Sequence, residues 1–351
     1  MRHKLSRVSM VLGASGMLAV GLASGAYAAT TAGAGNTAKA AASSPAWHPV
    51  LSVPNGSFGS VVATGKTSGW AFQGGGTAYE RTGATAWKKV AFPGTGGTVN
   101  VSGASSPSNV WAALKSSSGQ ATELYRWNGR SWTAAKSFPG SLTAISVLGP
   151  NNVWVFGGSG DAGVTHFNGR TWTEVSSTLQ GGSALSNNNV WAFNGTDVDH
   201  YNGRAWTATN VASLLPPQLS YGPSALTNII ALAPNDVYAT GEGDQTPRGG
   251  PGVLLHYNGH SWTQAAESGA FATISGESLA SDGEGGLWIT AESFPSRLEG
   301  ALFHYSAGQI TAVNLGAFDY SVSRIPGTAE ALSAGFQAGT GTSTGVVWQY
   351  S

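Results

Sequence analysis

The chain of 351 residues contains no cysteine. That absence excludes disulfides, thiolate metal sites, thiol nucleophiles and a lipid-bearing N-terminal cysteine, so stability must come from buried apolar surface. Charge is scarce as well: 17 Lys and Arg face 17 Asp and Glu, together 10% of the residues. A balance so sparse and even leaves no electrostatic footprint for DNA, RNA or an anionic membrane surface, and nucleic acid is not an expected partner. Long hydrophobic runs are missing too. The apolar stretch from Val8 to about Ala23 is diluted by Gly and Ser and falls short of the ~20 strongly apolar residues of a span, so no membrane span is expected. Nor does the sequence hold a P-loop, a G-x-S-x-G or an H-E-x-x-H motif, and no cofactor is expected.

That one apolar stretch has a meaning of its own. Arg2, Lys4 and Arg7 precede it and Ala26-Tyr27-Ala28 follows it, the order of a secretory signal peptide, here residues 1–28. A secreted, extracellular protein is the expectation. Removal of the leader leaves 14 basic against 17 acidic residues, a net charge of about −3. Residues 29–44, which include "TTAGAGNTAKAAASS", are too small and repetitive to offset their conformational entropy and read as a disordered linker.

From Pro45 to Ser351 the composition changes, and what is abundant is Gly and Trp. Asn-Val-Trp or a variant recurs at Trp70, Trp111, Trp154, Trp191, Tyr238, Trp288 and Leu332, at intervals of 41, 43, 37, 47, 50 and 44 residues. A β-rich unit with a period in the forties is the signature of a propeller blade. A second marker, "YRWNGRSW" at Tyr125–Trp132, returns as "HFNGRTWT", "HYNGRAWT" and "HYNGHSWT". Asn-Gly between β-prone runs predicts a two-residue type I′ hairpin. In that register Trp127 faces Arg130 and Tyr125 faces Trp132, and the arginine is expected to staple the aromatic ring. The last unit stops after "GVVWQYS", while "PAWHPVL" at Pro45–Leu51 looks like an outer strand without a blade. The expected fold is therefore all-β: a seven-bladed β-propeller of four-stranded antiparallel blades. An N-terminal strand D completes the C-terminal strands A to C and closes the ring.

The chain resembles secreted propellers of the kelch and galactose-oxidase-like kind. "VWVFGG" at Val153–Gly158 is similar to a kelch strand B ending in Gly-Gly, and the aromatic-to-Trp pair across the C–D turn is similar as well, although only five residues separate the pair here. Its composition and basic N-terminus also resemble exported proteins of high-GC Gram-positive bacteria. The resemblance implies architecture and transfers no catalytic motif.

The repeat assigns most of the tempting residues to framework. Trp70, Trp111, Trp154, Trp191 and Trp288 occupy the strand B column, and Trp47, Trp87, Trp132, Trp172, Trp206 and Trp262 the strand D column, which predicts blade-on-blade packing rather than a sugar platform. His166, His200, His256 and His304 fill one column on separate blades, so they do not converge as metal ligands must, and no metal is expected. Function is sought where units depart from the pattern. The D–A connection after blade 4 (Thr209 to Leu226), the B–C loop of blade 5 (Gly241 to Gly252) and that of blade 6 (Glu292 to Gly300) are long and should meet on one rim. They carry Gln218, Tyr221, Glu242, Asp244, Arg248, Glu292, Phe294, Arg297 and Glu299 as candidate ligand-binding residues. Mixed carboxylates, guanidinium groups and aromatics suit a glycan, a peptide or a cell-envelope component.

Two functions stay open at this point. One is a monomeric, non-catalytic exported binding module. The other is a carbohydrate-active enzyme, a hydrolase or lyase, with paired carboxylates such as Glu242 and Glu292 on the same rim. "SDGEGGLW" at Ser281–Trp288 is near the sialidase Asp-box pattern, but its Asp282 comes one place early and the motif occurs once.

Overall fold

The structure is a computed structural model. It describes residues 45–351 apart from 75, 159–161, 218–222, 244–251, 268–277 and 293–299. Among the described residues the strands form seven four-stranded antiparallel sheets. Six are meanders of consecutive strands A to D. The seventh joins Phe318–Arg324, Ala331–Ala338 and Ser343–Tyr350 to the N-terminal strand Trp47–Pro54. Trp47 pairs with Tyr350 and Pro54 with Thr344, and just beyond them Ala46 and Ser351 exchange backbone hydrogen bonds of 3.1 and 3.3 Å. The ring is closed by its two chain ends, as the orphan strand in the sequence predicts.

Six of the seven interfaces between blades are wedged by a strand B aromatic. Trp70 of blade 1 meets Trp127 and Trp132 of blade 2 edge-on at 4.9 and 5.1 Å. Trp111 meets Phe167 and Trp172, Trp154 meets Tyr201, Trp191 meets Tyr257 and Trp262, and Tyr238 meets Tyr305. Trp288 meets Trp47 and Tyr350 across the closure. One large ring in each of blades 1 to 6 buries its own surface against the outer strands of the next blade, which lets the propeller stand without disulfides.

In four blades the other face of the strand B ring is covered by a histidine of the strand C column. Trp154 stacks on His166 at 4.3 Å, Trp191 on His200 at 4.3 Å, Tyr238 on His256 at 4.4 Å and Trp288 on His304 at 4.1 Å. Three of these imidazoles reach the A–B turn of their own blade: His166 to Asn152, His256 to Asp236 and His304 to Asp282, at 2.8–2.9 Å. Asp282 also accepts the amides of Glu284 and Gly286. Burial works against its ionised form, but these bonds outweigh it and hold its pKa below the usual carboxylate value. "SDGEGGLW" is thus a turn clasp.

The C–D turn differs from the expected one. Trp127 pairs with Trp132, not with Arg130, so the loop has four residues and Tyr125 faces Ala134. Asn128 does not take a positive φ. Its side-chain oxygen instead accepts the amides of Arg130 and Ser131 at 2.9 and 3.0 Å, and only Gly129 is left-handed, at φ 91°. An Asx turn satisfies two amides that a type I′ turn would leave to solvent. Consequently Arg130, Arg170 and Arg204 are exposed. The guanidinium groups that do cover a ring are Arg126, 5.3 Å from the centre of Trp111 in the histidine column, and Arg81, 6.0 Å from that of Trp87.

Candidate functional site: the mouth of the central channel

The innermost strand of every blade is strand A: Phe58–Gly65, Gly97–Ser106, Leu142–Gly149, Gln180–Ser186, Ala225–Ala233, Ser278–Ser281 and Phe318–Arg324. These strands are stitched to one another by serine. The Ser146, Ser183, Ser278, Ser321 and Ser323 hydroxyls accept backbone amides of the following blade, from Ala184, Ala231, Val322, Val61 and Ala63, at 3.0–3.2 Å. Ser60 and Ser102 share a bond of 2.7 Å. A small hydroxyl lets neighbouring backbones approach closely while satisfying amides that have no ladder partner. Between the strands runs a channel of about 420 Å³ lined by these serines, by aliphatic residues and by Asn100, Thr143, Asn228 and Arg324.

At the N-terminal ends of the strands the channel opens into a mouth of about 600 Å³. Its wall has one cause. In six blades strand A carries a bulge near its start, where the pairing with strand B skips one residue: Gly59, Asn100, Thr143, Gly181, Thr227 and Tyr320. All six line the mouth. A bulge re-aims one side chain out of the alternation, and here it turns one residue per blade toward the axis. Ser57, Thr98, Val101, Lys115, Ser141, Leu142 and Asn228 complete the described wall. Hydroxyls and amides therefore dominate, with one ammonium and one phenol. Among the described lining residues there is no carboxylate. Lys115 is half-buried at the end of strand B in blade 2. Its counterparts four residues beyond the anchor are Gly74, Gly158 and Gly195 in blades 1, 3 and 4, Glu242 and Glu292 in blades 5 and 6 and Phe336 in blade 7, and the positive charge is peculiar to blade 2.

The loops expected to form a rim stand differently. Gln218, Tyr221, Asp244, Arg248, Phe294, Arg297 and Glu299 lie outside the described residues, as does the side chain of Glu292. Glu242 ends strand B of blade 5 and is 6% exposed. The described part of the long D–A connection is anchored: Val211 and Leu215 are buried in one cluster with Leu226 and Val253. Among the described residues no three of His, Asp and Glu gather where an ion could sit.

One buried group near the mouth breaks the repeat. The residue paired with strand B just before the bulge is Phe58, Val99, Leu142 and Leu226 in four blades, all buried, and a half-buried Gln180 in blade 4, but a buried Asp319 in blade 7. Asp319 is 2% exposed; one oxygen accepts the Ser333 hydroxyl at 2.8 Å and the other has no partner. Burial pushes its pKa up to about 7, with the serine bond pulling partly back.

The comparisons with known proteins support the architecture. No family model and no curated protein matches the sequence. Solved structures do match, over most of both chains. Three are a YCF48 structure bound to D1 peptide (TM-score 0.57, 13% identity, 87% of this chain and 96% of that one), the WD40 propeller domain of Doa1 (0.57, 9%, 86% and 96%) and virginiamycin B lyase from Staphylococcus aureus (0.56, 9%, 86% and 99%). The shared property is the fold. At such identities a likeness carries no residue role across, and propellers host unrelated functions.

Proposed function

We propose that this propeller is a non-catalytic binding module that receives an extended peptide at the mouth of its channel. The observation that carries the reading is the ring of bulges, which turns one residue from each of six blades into a polar depression of about 600 Å³. Hydroxyls and amides suit the alternating donors and acceptors of a peptide backbone. Sugars at a binding site commonly lie on flat aromatic surface, and Tyr320 is the one aromatic residue of the described wall. The solved propeller that carries a peptide lends the reading analogy, not proof. A glycan or another cell-envelope component is the second ligand class. The leader-like residues 1–28, the linker 29–44, a monomeric state and the kelch-like ancestry belong to the same proposal, that of an exported module. N-terminal sequencing of protein recovered from culture medium tests the export: a start after Ala28 supports it, and retention of Met1 in the cell counts against it.

The binding test uses a peptide library and a glycan array, with wild type beside Asn100→Trp and Thr143→Trp. Both side chains are exposed in the wall, so the substitutions fill the mouth and spare the core. A peptide hit weakened at least about tenfold in both variants, with unchanged melting, supports the reading. Hits indifferent to both variants sink it. Release of reducing sugar from a bound glycan would favour the carbohydrate-active alternative, whose acid and base would have to come from Glu242, Glu292 or their neighbouring loops.

A further inference from the structure

The opposite face carries a second repeated feature, independent of the mouth. In blades 2 to 5 the C–D loops Asn128–Ser131, Asn168–Thr171, Asn202–Ala205 and Asn258–Ser261 have the same conformation. In each, the Asn side-chain oxygen accepts two amides at 2.9–3.1 Å. In each, the glycine lies at φ 91–93°. Each loop also rests on the A–B turn of its own blade: a Cβ on Gly129, Gly169, Gly203 or Gly259 would press on Ser108, Asn151, Asn188 or Asn235 at 2.7–3.0 Å. These are four copies of one rigid turn, supported from beneath.

The residue after the glycine is free to vary, because the turn uses only its backbone amide. It is nevertheless Arg130, Arg170, Arg204 and His260, all exposed. Of the eight arginines from Pro45 onward, three occupy this position, a concentration that the turn does not require. The ion pairs among the described residues are His256 with Asp236 and His304 with Asp282, and neither involves these arginines. Blades 2, 3 and 4 are consecutive in the ring, so the three guanidinium groups stand in an arc at blade-to-blade spacing, with His260 extending it to blade 5.

We infer that this arc binds a linear acidic polysaccharide, a polymer with a carboxylate on each sugar, laid across blades 2 to 5. A guanidinium takes a carboxylate in a two-pronged hydrogen bond, and the Ser131, Thr171 and Ser261 hydroxyls stand beside the cations to meet sugar hydroxyls. Each contact is weak alone; a repeating polymer engages several at once and gains by effective concentration. A bilayer fits the surface poorly, since the exposed turn residues are polar or small and none is an apolar wedge. Duplex nucleic acid fits poorly too, because three guanidinium groups on an evenly charged chain release few counterions.

The test is binding of the full chain to polygalacturonate, with dextran as the neutral polymer and duplex DNA as competitor. Wild type should bind polygalacturonate at low salt, lose it as salt rises, and ignore dextran. The triple variant Arg130→Gln/Arg170→Gln/Arg204→Gln should weaken binding by roughly tenfold or more without shifting the melting temperature. Lys88→Gln/Lys89→Gln, which removes two exposed cations from blade 1, should leave it unchanged. Equal binding by the triple variant and wild type overturns the inference, as does an equal loss in the lysine variant or displacement by DNA as effective as by polygalacturonate itself. Thr143→Trp should have no effect, which keeps the fate of this surface separate from that of the mouth.

Discussion

Blade 7 and the six continuous blades solve one packing problem with different materials. In a continuous blade, the chain itself holds strand D to strand C through a hairpin, and the interface is an aromatic wedge, backed in blades 2 to 6 by His or Arg. Blade 7 has no such hairpin: its strand D comes from the other end of the chain. Its anchor is Leu332 in place of Trp, and Gln349 takes the histidine column. Polar groups appear where the wedge is missing. Arg81 of blade 1, 2% exposed, donates to the side-chain oxygen of Gln349 at 2.6 Å and to the carbonyls of Gly83 and Ala84, and Gln349 donates on to Glu330. Apolar burial does not distinguish one partner strand from another; a buried hydrogen-bond network does, because an incorrect partner leaves its atoms unsatisfied. The seam that must find its partner across the whole chain is the one built from directional bonds.

The largest effect should come from removing the strand that crosses this seam. Deletion of residues 1–54 leaves strand C of blade 7 with an unpaired edge and uncovers Trp288 and Tyr350, which pack on Trp47 at 5.0 and 5.6 Å. Loss of a single cooperative unfolding transition and association on size-exclusion chromatography are expected. A monomeric, cooperatively melting truncation would show that the seam is dispensable and would break the comparison. Next come two point variants, one for each kind of interface. Trp154→Ala in a continuous blade should cost about 3–5 kcal/mol in denaturant unfolding. Arg81→Met at the seam should cost about 1–3 kcal/mol, since it strands the acceptors that the guanidinium satisfies.

Asp319 sharpens the contrast through pH. Burial pushes the pKa of its carboxyl up to about 7 in the fold, against an ordinary value of 3.8. A raised carboxyl pKa means that the folded state retains a proton that the unfolded chain has lost, so stability falls as pH rises from about 4 to about 7 and is level above that. Asp319→Asn should flatten this slope. Melting temperatures at pH 5 and pH 8 should differ less in the variant than in wild type; an unchanged difference would assign the slope to other groups. Glu330 and Arg81 flank the same blade, and the variants of Arg81 and Asp319 together show whether the seam's polar groups act as one network.

How much of this was readable beforehand depends on whether a residue repeats in kind or only in backbone. Trp111, Trp154 and Trp191 perform one task with one side chain, so a period emerged, and the orphan strand at Trp47 completed the count of blades. The mouth has no such signature. Gly59, Asn100, Thr143, Gly181, Thr227 and Tyr320 share a bulge, a property of hydrogen-bond register that six different side chain environments accommodate, and no column of letters marks it. Long loops are what irregularity looks like in the sequence, while the structure also points to strand A, where the bulge recurs and the chemistry varies. Asp319 was hidden for the same reason: its exceptional nature appears only once Phe58, Val99, Leu142 and Leu226 are known to occupy its place.

The smallest effect tests the turn that the sequence led us to expect in another form. Asn-Gly suggested a two-residue hairpin with Arg130 over Trp127, yet the Asn side chain caps two amides, the loop is four residues long, and Arg130 points to solvent while Arg126 lies over Trp111. The two arginines are four residues apart, and the turn should make their substitutions unequal. Arg126→Gln removes a half-buried cation from an indole face and should cost about 1 kcal/mol. Arg130→Gln should stay within about 0.5 kcal/mol, as exposed substitutions do. Urea unfolding of the two variants under identical conditions decides between the geometries. A larger loss at Arg130 would restore the stapled hairpin. The expected order leaves Arg130 without a structural task, and it is from that freedom that the arc on blades 2 to 5 draws its meaning.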